Sequence, residues 1–355
     1  MAIPSALRTG GRGETRPPRV CIFRTDRIGD VILTLPAAEA VKRAIPDAHV
    51  ALCVQEYTAD LARLSPFVDE VLTVAGRDVV SELGGFIRLL RRKKFDLAVF
   101  AYPRPRLAWA AFRAGISMRS GTAYRWYSLL FTHRVREHRK SAGRHERDYT
   151  LALLDRLGIP TRPFPQPRLE IPGEHRQRAA EVVARHLPSS VSRFVVLHPG
   201  SGGSAKEWGP GRFGLLAARL DSDCPDVAVL VTGTPDERPI VEAVREASGG
   251  KAIPLDEHLP LPVFAALLEQ SVLTVSNSTG PIHIAAALGV PVVGLYPFER
   301  SCNPRRWGPL GEKTAVLTPP KEPECPACLQ EHCPRHDDMA RIAVADVFTA
   351  VRSLL

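Results

Sequence analysis

A short polar segment that leads into an apolar helical pattern is the part of this sequence best suited to hold an anion. After the strand-like run 272–275 the chain reads Ser278-Thr279-Gly280-Pro281. Proline suits the first helical position, and the glycine before it lets a ligand approach the backbone closely. The N–H groups of Ile282 and His283 would then face outward with the positive end of the helix dipole, which suits a diphosphate. An ordinary strand-to-helix connection with a capping hydroxyl explains the same residues, so both interpretations stay open at this point.

A second loop of similar chemistry follows another apolar run, 194–197. It reads His198-Pro199-Gly200-Ser201-Gly202-Gly203-Ser204-Ala205-Lys206. Its glycines permit a tight loop around an anion, the hydroxyls of Ser201 and Ser204 can donate, and Lys206 supplies a full positive charge. The loop lacks the Gly-Lys-Ser/Thr ending of a Walker loop, and no Gly-x-Gly-x-x-Gly follows the first strand. Kinase and dehydrogenase functions are therefore disfavoured.

Short apolar runs that alternate with helical patterns must position these loops. The strand-like runs are 20–23, 50–54, 71–74, 97–100, 194–197, 227–231, 272–275 and 292–295. Continuous apolar strands that alternate with helices predict an α/β protein with parallel sheets covered on both faces. In such sheets ligands bind outside the carboxyl ends of the strands, which is where both glycine-containing loops fall.

The chain length and a Pro-rich stretch predict two doubly wound, Rossmann-like domains that face each other across a cleft. The 355 residues exceed what one core usually supports, and the Pro-rich stretch 159–167 can continue neither a helix nor a strand. We predict a disordered tail at 1–18, an N-terminal domain at 19–160, a linker at 161–175 and a C-terminal domain at 176–355. The tail lacks the apolar core of a signal peptide, and no apolar stretch approaches the length of a membrane helix. A cytoplasmic protein is expected.

The positive net charge of the chain favours an anionic partner. The net charge is +9, and residues 119–147 hold eight Lys or Arg against two Glu. Tyr124, Trp126, Tyr127 and Phe131 are interleaved with these charges, as a platform for a sugar or a base would require. A solvated basic face with aromatic side chains turned into the core fits equally well. No helix-turn-helix, zinc finger or RNP signature is present, so we expect no nucleic-acid partner.

Three motifs are informative when they are taken together and in their order along the chain. They are Gly29-Asp30-Val31 with Thr34-Leu35-Pro36, the loop from His198 through Lys206 to Trp208, and Ser278-Thr279-Gly280-Pro281-x-His283 with Ala-Ala-Leu-Gly-Val-Pro. Together they resemble glycosyltransferase family 9, the family of the ADP-heptose:lipopolysaccharide heptosyltransferases, over residues 20 to about 317. The resemblance implies a B-type glycosyltransferase fold and an inverting, metal-independent transfer without a cofactor. It also implies an acceptor held by the N-terminal domain and a nucleotide sugar held by the C-terminal domain.

The resemblance assigns roles to three residues. The family's general base carries over to Asp30, and the chemistry agrees, because a sugar hydroxyl that attacks an anomeric carbon must lose its proton. Asp26 is the rival base, and either carboxylate could instead cap a helix. The phosphate-binding lysine carries over to Lys206 and the ribose-binding glutamate to Glu237. Glu237 could equally be a favourable charge in the first turn of a helix.

The donor sugar stays open, because many heptosyltransferases have Asp-Thr-Gly where this chain has Ser278-Thr279-Gly280. We expect an ADP-linked donor carrying heptose or a related sugar. The expected acceptor is a phosphorylated, lipid-linked saccharide such as lipopolysaccharide core, held by Arg125, Arg144 and Arg147. The basic run 88–94 predicts peripheral contact with the inner membrane. The alternatives are a nucleotide-sugar epimerase of the same fold and a nucleotide-sugar-binding protein without turnover.

Four candidate metal ligands lie close together near the C-terminus. Cys325, Cys328, Cys333 and His336 could hold a tetrahedral zinc ion. Their spacing is irregular, so reduced thiols or an occasional disulfide remain alternatives. We expect no essential metal at this cluster.

Overall fold

The chain forms two compact units, residues 1–139 with 144–170 and residues 140–143 with 171–355. The structure, a computed structural model, describes residues 7, 16–75, 82–139, 142–188, 191–298, 302–320 and 339–355. Most of the predicted tail lies outside these described residues. The Pro-rich stretch 159–167 belongs to the first unit, which ends at Glu170, where the Glu170 N–H donates to the Leu64 carbonyl over 2.8 Å.

The first unit is built on a parallel six-stranded sheet. Its strands are β1 (Arg19–Phe23), β2 (His49–Gln55), β3 (Glu70–Val74), β4 (Leu97–Phe100), β5 (Met118–Thr122) and β6 (His133–Val135). Its helices are α1 (Ile28–Ile32), α2 (Leu35–Ala44), α3 (Ala59–Ala62), α4 (Leu83–Lys93), α5 (Pro105–Arg113) and α6 (Glu146–Asp155). Cys21 and Phe23 of β1 pack in one core with side chains of α4 and α5, while Val20 and Ile22 are buried on the opposite face. Both faces of the sheet are therefore covered, as its continuous apolar strands require.

The second unit repeats this plan. Its strands are β7 (Arg193–His198), β8 (Val227–Thr232), β9 (Ile253–Leu255), β10 (Leu273–Asn277), β11 (Val292–Leu295) and β12 (Thr314–Leu317). Its helices are α7 (Gly173–His186), α8 (Pro210–Asp223), α9 (Arg238–Ala247), α10 (Leu261–Gln270), α11 (Gly280–Ala287), α12 (Pro304–Trp307) and α13 (Val344–Leu354). Side chains of α8, α9 and α13 form one core with alternate residues of the central strands.

Both sheets have the same strand order, and this order fixes where a ligand can bind. The first is β3-β2-β1-β4-β5-β6 and the second is β12-β11-β10-β7-β8-β9. Counted within its own unit, each sheet runs 3-2-1-4-5-6, the doubly wound order. The chain reverses direction across the sheet between β1 and β4, and again between β7 and β10. Ligands bind outside the carboxyl ends of strands at such switch points. The predicted α/β class with two doubly wound sheets is confirmed.

The strands that the sequence did not predict lie at or next to sheet edges. β6, β9 and β12 are edge strands, and β5 is next to β6. They are short and lack a continuous apolar run, because an edge strand needs only main-chain pairing and partial burial. Gly121 of β5 has Phe131 packed against it, and an added Cβ would lie 2.5 Å from the ring. The basic stretch 119–147 thus includes two strands of the first sheet.

Candidate active site

A buried arginine directly after β1 binds three carboxyl groups. Arg24 is 1% exposed; its Nε donates to Asp26 Oδ1 over 2.7 Å and its Nη1 to Glu146 Oε1 over 2.9 Å. Its other terminal nitrogen, Nη2, donates to Asp30 Oδ1. Arg139 also donates to Glu146 Oε1, over 2.6 Å. This carboxylate cluster therefore sets two guanidinium groups against three carboxyl groups.

The extra proton that this imbalance favours belongs on Asp26. Burial, opposed by the attraction of Arg24, raises the pKa of Asp26 to about 8. Burial is the stronger influence because the charged carboxylate loses its hydration, and the neighbouring acidic groups act in the same direction. Asp26 is therefore mostly protonated at neutral pH. A protonated carboxyl group cannot act as a general base, which weakens Asp26 as the rival of Asp30.

Asp30 is the most accessible carboxyl group of the cluster. It lies in α1, just beyond the carboxyl end of β1, and its side chain is 15% exposed, against 9% for Asp26 and 1% for Glu146. The Thr34 hydroxyl donates to the Asp30 carbonyl over 2.9 Å and fixes the local backbone. The arrangement presents one oriented carboxyl group at the first switch point, where it can accept a proton from a bound hydroxyl.

The sequence indicated Asp30 but missed the residues that hold it. The available signal for Arg24 is a charged residue that directly follows an apolar strand. Glu146 carries no such signal, because it is separated from Arg24 by 122 positions and reaches it only through the fold.

The three arginines predicted to bind an anionic acceptor have different surroundings. Arg125 is exposed. Arg144 is ion-paired with Glu137, and its side chain is 42% exposed. Arg147 is 9% exposed, and its Nε donates to Asp148 over 2.9 Å, so its charge is balanced inside the first unit. The structure therefore leaves Arg125 and Arg144 more accessible to a ligand than Arg147.

A further cation that the sequence did not indicate lies beside the carboxylate cluster. Arg104 follows β4; its guanidinium lies over the Tyr102 ring, 4.2 Å from the centroid, and donates to the phenol oxygen. The Arg24 guanidinium lies 6.0 Å from the centroid of the same ring. Tyr102 thus separates two guanidinium groups at the first switch point.

In the second unit, the side chain of Asn277 joins the carboxyl ends of β7 and β10. Its Nδ2 donates to the Pro199 carbonyl over 2.6 Å, and its Oδ1 accepts from the Trp208 N–H over 3.0 Å. Trp208 is itself buried, and its indole N–H donates to the Ile342 carbonyl over 2.9 Å. Both ends of the loop between Pro199 and Trp208 are therefore fixed at the second switch point.

Two consecutive glycines in this loop have a left-handed backbone. Gly202 and Gly203 have φ angles of +52° and +70°, a conformation that side chains rarely adopt. The hydroxyls of Ser201 and Ser204 donate to carbonyl groups within the loop, over 3.0 and 2.6 Å, so they shape it from inside. Their contact with a diphosphate stays a prediction. Lys206, which is partly exposed, lies in the second half of the loop.

The N-terminus of α11 follows β10 at the same switch point. Thr279 precedes the helix, and its hydroxyl bonds Ser276 Oγ at 3.0 Å instead of capping the first-turn N–H groups. The side chains of Ile282 and His283 are buried, so these residues could meet a ligand only through their backbone. An anion would complement the positive end of this helix.

Ser278 faces a tyrosine and not a carboxylate. Its hydroxyl bonds the phenol of Tyr296, whose own O–H donates to the Trp307 carbonyl over 2.9 Å. Burial raises the pKa of Tyr296 above its ordinary value, so the phenol is neutral at physiological pH. The hydrogen-bond partner of Ser278 is therefore a neutral group.

Glu237 lies at the carboxyl end of β8 and packs against the loop between Pro199 and Trp208. Its Oε2 accepts from the Thr234 N–H over 2.9 Å, while Oε1 contacts the Cα side of Gly200, where an added Cβ would overlap the carboxylate. His198 Nδ1 lies 2.9 Å from Thr232 Oγ1. Burial lowers the pKa of His198, opposed by the charge of Glu237, and keeps the imidazole neutral. The predicted helix-start role of Glu237 is present, and the same carboxylate also borders the loop.

Two further sequence predictions concern the C-terminal cysteines and membrane-spanning helices. The cysteine cluster Cys325, Cys328, Cys333 and His336 lies outside the described residues. No helix among the described parts of the chain is both long and apolar enough to cross a membrane.

Comparison with known proteins identifies the family. The profile of Glycosyltransferase family 9 (heptosyltransferase) matches residues 84–337, well over half of the chain. The chain belongs to glycosyltransferase family 9. It is 28% identical to lipopolysaccharide heptosyltransferase 1 of Pseudomonas aeruginosa over 336 residues, 89% of this chain and 87% of that protein.

Solved structures agree with the predicted B-type glycosyltransferase fold. The chain is similar to a family 9 glycosyltransferase from Veillonella parvula, with a TM-score of 0.82 and 24% identity over 95% of this chain and 97% of that one. It is also similar to an Escherichia coli heptosyltransferase solved with ADP, with a TM-score of 0.71 and 20% identity over 95% of this chain and all of that one. This family 9 enzyme is therefore a glycosyltransferase, and family membership favours transfer over the epimerase and binding-protein alternatives.

Proposed function

We propose that this enzyme transfers heptose or a related sugar from an ADP-linked donor to a phosphorylated, lipid-linked saccharide of the lipopolysaccharide-core type. The transfer would invert the anomeric centre and would use no metal. The names of its relatives, a lipopolysaccharide heptosyltransferase and a heptosyltransferase solved with ADP, support the donor and acceptor classes. The reaction would take place on the cytoplasmic side of the membrane that carries the acceptor.

The observation that carries this proposal is the convergence of three strand ends in the second unit. β10, β7 and β8 are neighbours, and their carboxyl ends bring together Asn277, the loop with Lys206, and Glu237. In a nucleoside diphosphate the ribose hydroxyls can donate to a carboxylate, and the phosphates bind cationic or N–H groups. Glu237 would accept from the ribose, while Lys206 and the N-terminus of α11 would bind the diphosphate.

In the first unit, which is proposed to hold the acceptor, the carboxylate cluster leaves Asp30 as the candidate base. Arg24 fixes Asp30 in one orientation, and the buried Asp26 retains its proton, so Asp30 is the group that can take the proton of an attacking hydroxyl. The hydroxyl oxygen would form its bond to the anomeric carbon as the bond to the diphosphate breaks. Arg104, Arg125 and Arg144 are the cations placed to hold acceptor phosphate groups.

The leaving diphosphate would be stabilised by fixed protein groups. Lys206 supplies a positive charge, and the first turn of α11 supplies oriented N–H dipoles. These groups need no reorganisation as negative charge develops on the departing phosphate. Ser278, which stands where many family members have an aspartate, adds no carboxylate of its own at this position.

Product formation in excess EDTA tests this function. We expect the purified enzyme to transfer sugar from an ADP-linked donor to lipopolysaccharide truncated after a phosphorylated core sugar, with the same rate with and without EDTA. UDP-, GDP- and CMP-linked sugars are the controls and should give little product. Activity that disappears with EDTA and returns with a divalent cation would contradict the metal-free mechanism, and a clear preference for another nucleotide would contradict the ADP assignment.

Removal of the Lys206 charge should weaken diphosphate binding. Lys206→Ala is expected to cost about 1.5–3 kcal/mol in ADP binding, the scale of a hydrogen bond to a charged group. Calorimetry with ADP and with adenosine separates the phosphate contribution from the rest, because adenosine offers Lys206 no charge. The matched control is Lys251→Ala, an exposed lysine of the same unit that pairs with Asp221. Equal losses for ADP and adenosine would mean that Lys206 supports the fold instead.

A further inference from the structure

Four large apolar side chains are exposed on one part of the first unit. Trp109 and Phe112 project from α5 and are 43% and 44% exposed, and Trp126 and Leu129, in a single turn of 3-10 helix after β5, are 82% and 79% exposed. Leu107, Ala108, Ala110 and Ala111 of α5 point to the core, so the aromatic side chains occupy the opposite, outer side of this helix. Side chains of this size that are exposed together indicate a contact surface.

Contacts link α5 to Arg91 of α4 and to the turn that carries Trp126 and Leu129. The Arg91 guanidinium donates to the Arg113 carbonyl at the end of α5 over 2.9 Å. Arg119 lies over the Phe112 ring at 5.4 Å and donates to the Leu130 carbonyl over 2.6 Å, next to Leu129. We name this surface, which comprises Arg88, Arg91, Trp109, Phe112, Trp126 and Leu129, the arginine–aromatic face.

The charge around this face is mainly positive. Residues 82–136 include twelve Lys or Arg and two acidic residues, Glu82, which lies beside Arg88, and Asp96. Asp96 is 4% exposed and ion-paired with Arg16, so it does not offset the surface charge. Arg88, Arg91 and Arg92 are all exposed on α4. A partner must therefore combine negative charge with a region that accepts apolar side chains.

We propose that the arginine–aromatic face binds the surface of an anionic lipid bilayer. Tryptophan is favoured at the boundary between headgroups and hydrocarbon, an exposed leucine can enter the hydrocarbon, and arginines attract anionic headgroups. A second copy of this chain fits less well, because a symmetric contact would place the same arginines against each other. The proposal rests on the lipid-linked acceptor of the proposed function, and it names the residues that keep the enzyme at the membrane carrying that acceptor.

Vesicle sedimentation tests the face with two variants. The wild type should bind vesicles of phosphatidylglycerol mixed with phosphatidylcholine and should bind pure phosphatidylcholine weakly. Trp126→Ser with Leu129→Ser is expected to lower the partition coefficient on anionic vesicles by about tenfold or more, because the inserted side chains are lost. Arg88→Ser with Arg91→Ser should lower it by about fivefold for each arginine and should weaken its dependence on salt.

A control variant and a separate binding assay make the outcome decisive. Leu215→Ser with Arg178→Ser removes a 57% exposed leucine and an exposed arginine from the second unit and should bind anionic vesicles like the wild type. ADP binding by calorimetry should be unchanged in all three variants.

Equal vesicle binding by all variants would overturn the proposal, and so would a wild-type dimer that the Trp126 and Leu129 changes convert to a monomer. Vesicle binding through this face together with failure to bind ADP would instead refute the donor assignment and leave the face intact.

Discussion

Asp30→Asn is expected to lower turnover by about a hundredfold or more while leaving the fold and ADP binding in place. The amide keeps the size of the carboxyl group and can still contact Arg24, but it cannot take a proton from the attacking hydroxyl. Donor binding is expected to persist because the residues proposed to hold ADP belong to the second unit. Turnover with saturating donor and acceptor, measured beside an ADP titration, checks both halves of this result.

Asp26→Asn is the matched control for this substitution. Burial raises the pKa of Asp26 to about 8, so this carboxyl group is mostly protonated at neutral pH and its amide replacement changes little charge. We expect turnover within about tenfold of the wild type. The reverse pattern, with near-normal turnover in Asp30→Asn and a large loss in Asp26→Asn, would assign the base to Asp26.

Arg24→Met should destabilise the protein by about 3–5 kcal/mol at neutral pH, the cost of removing one partner from a buried ion cluster. Methionine fills a similar length of side chain but leaves the carboxyl groups of Asp30 and Glu146 without their main cation. Urea unfolding of both proteins at neutral pH measures the difference.

Arg193→Met gives the comparison for an exposed ion pair. Arg193 pairs with Asp226 on the surface, where both side chains are more than 40% exposed. Such pairs contribute about 0–1 kcal/mol, so this variant should unfold almost like the wild type. If Arg24→Met were equally mild, the buried ion pairs of Arg24 would contribute no more to stability than an exposed pair does, and Arg24 could not be the residue that fixes Asp30.

The motifs fall at the switch points because each follows a strand that is apolar along its whole length. The runs 20–23, 194–197 and 272–275 predicted three buried strands, and the residues after them stand at the two switch points. Local spacing was sufficient to place Asp30, Lys206 and the start of α11 in the fold, because each belongs to one continuous junction, while their roles stay predictions. The order of these junctions along the chain then led to the family.

Long-range contacts explain what the sequence could not give. Arg24 meets Glu146 only after the first sheet has formed, and no local pattern relates two residues 122 positions apart. The neighbouring strands β5 and β6 contain Arg, Ser, Gly and His, so the basic character of 119–147 concealed their extended backbone. The hydroxyls of Ser201 and Ser204 looked free to donate, yet both shape the loop that contains them.

The side chain of Asn277 has a consequence for the thermodynamics of donor binding. One amide group holds the carbonyl that enters the loop, at Pro199, and the N–H that leaves it, at Trp208. The entropy of closing this loop is therefore lost when the second unit folds. If ADP binds here as proposed, less ordering remains to oppose association, and a preorganised loop gains affinity without any additional contact to the ligand.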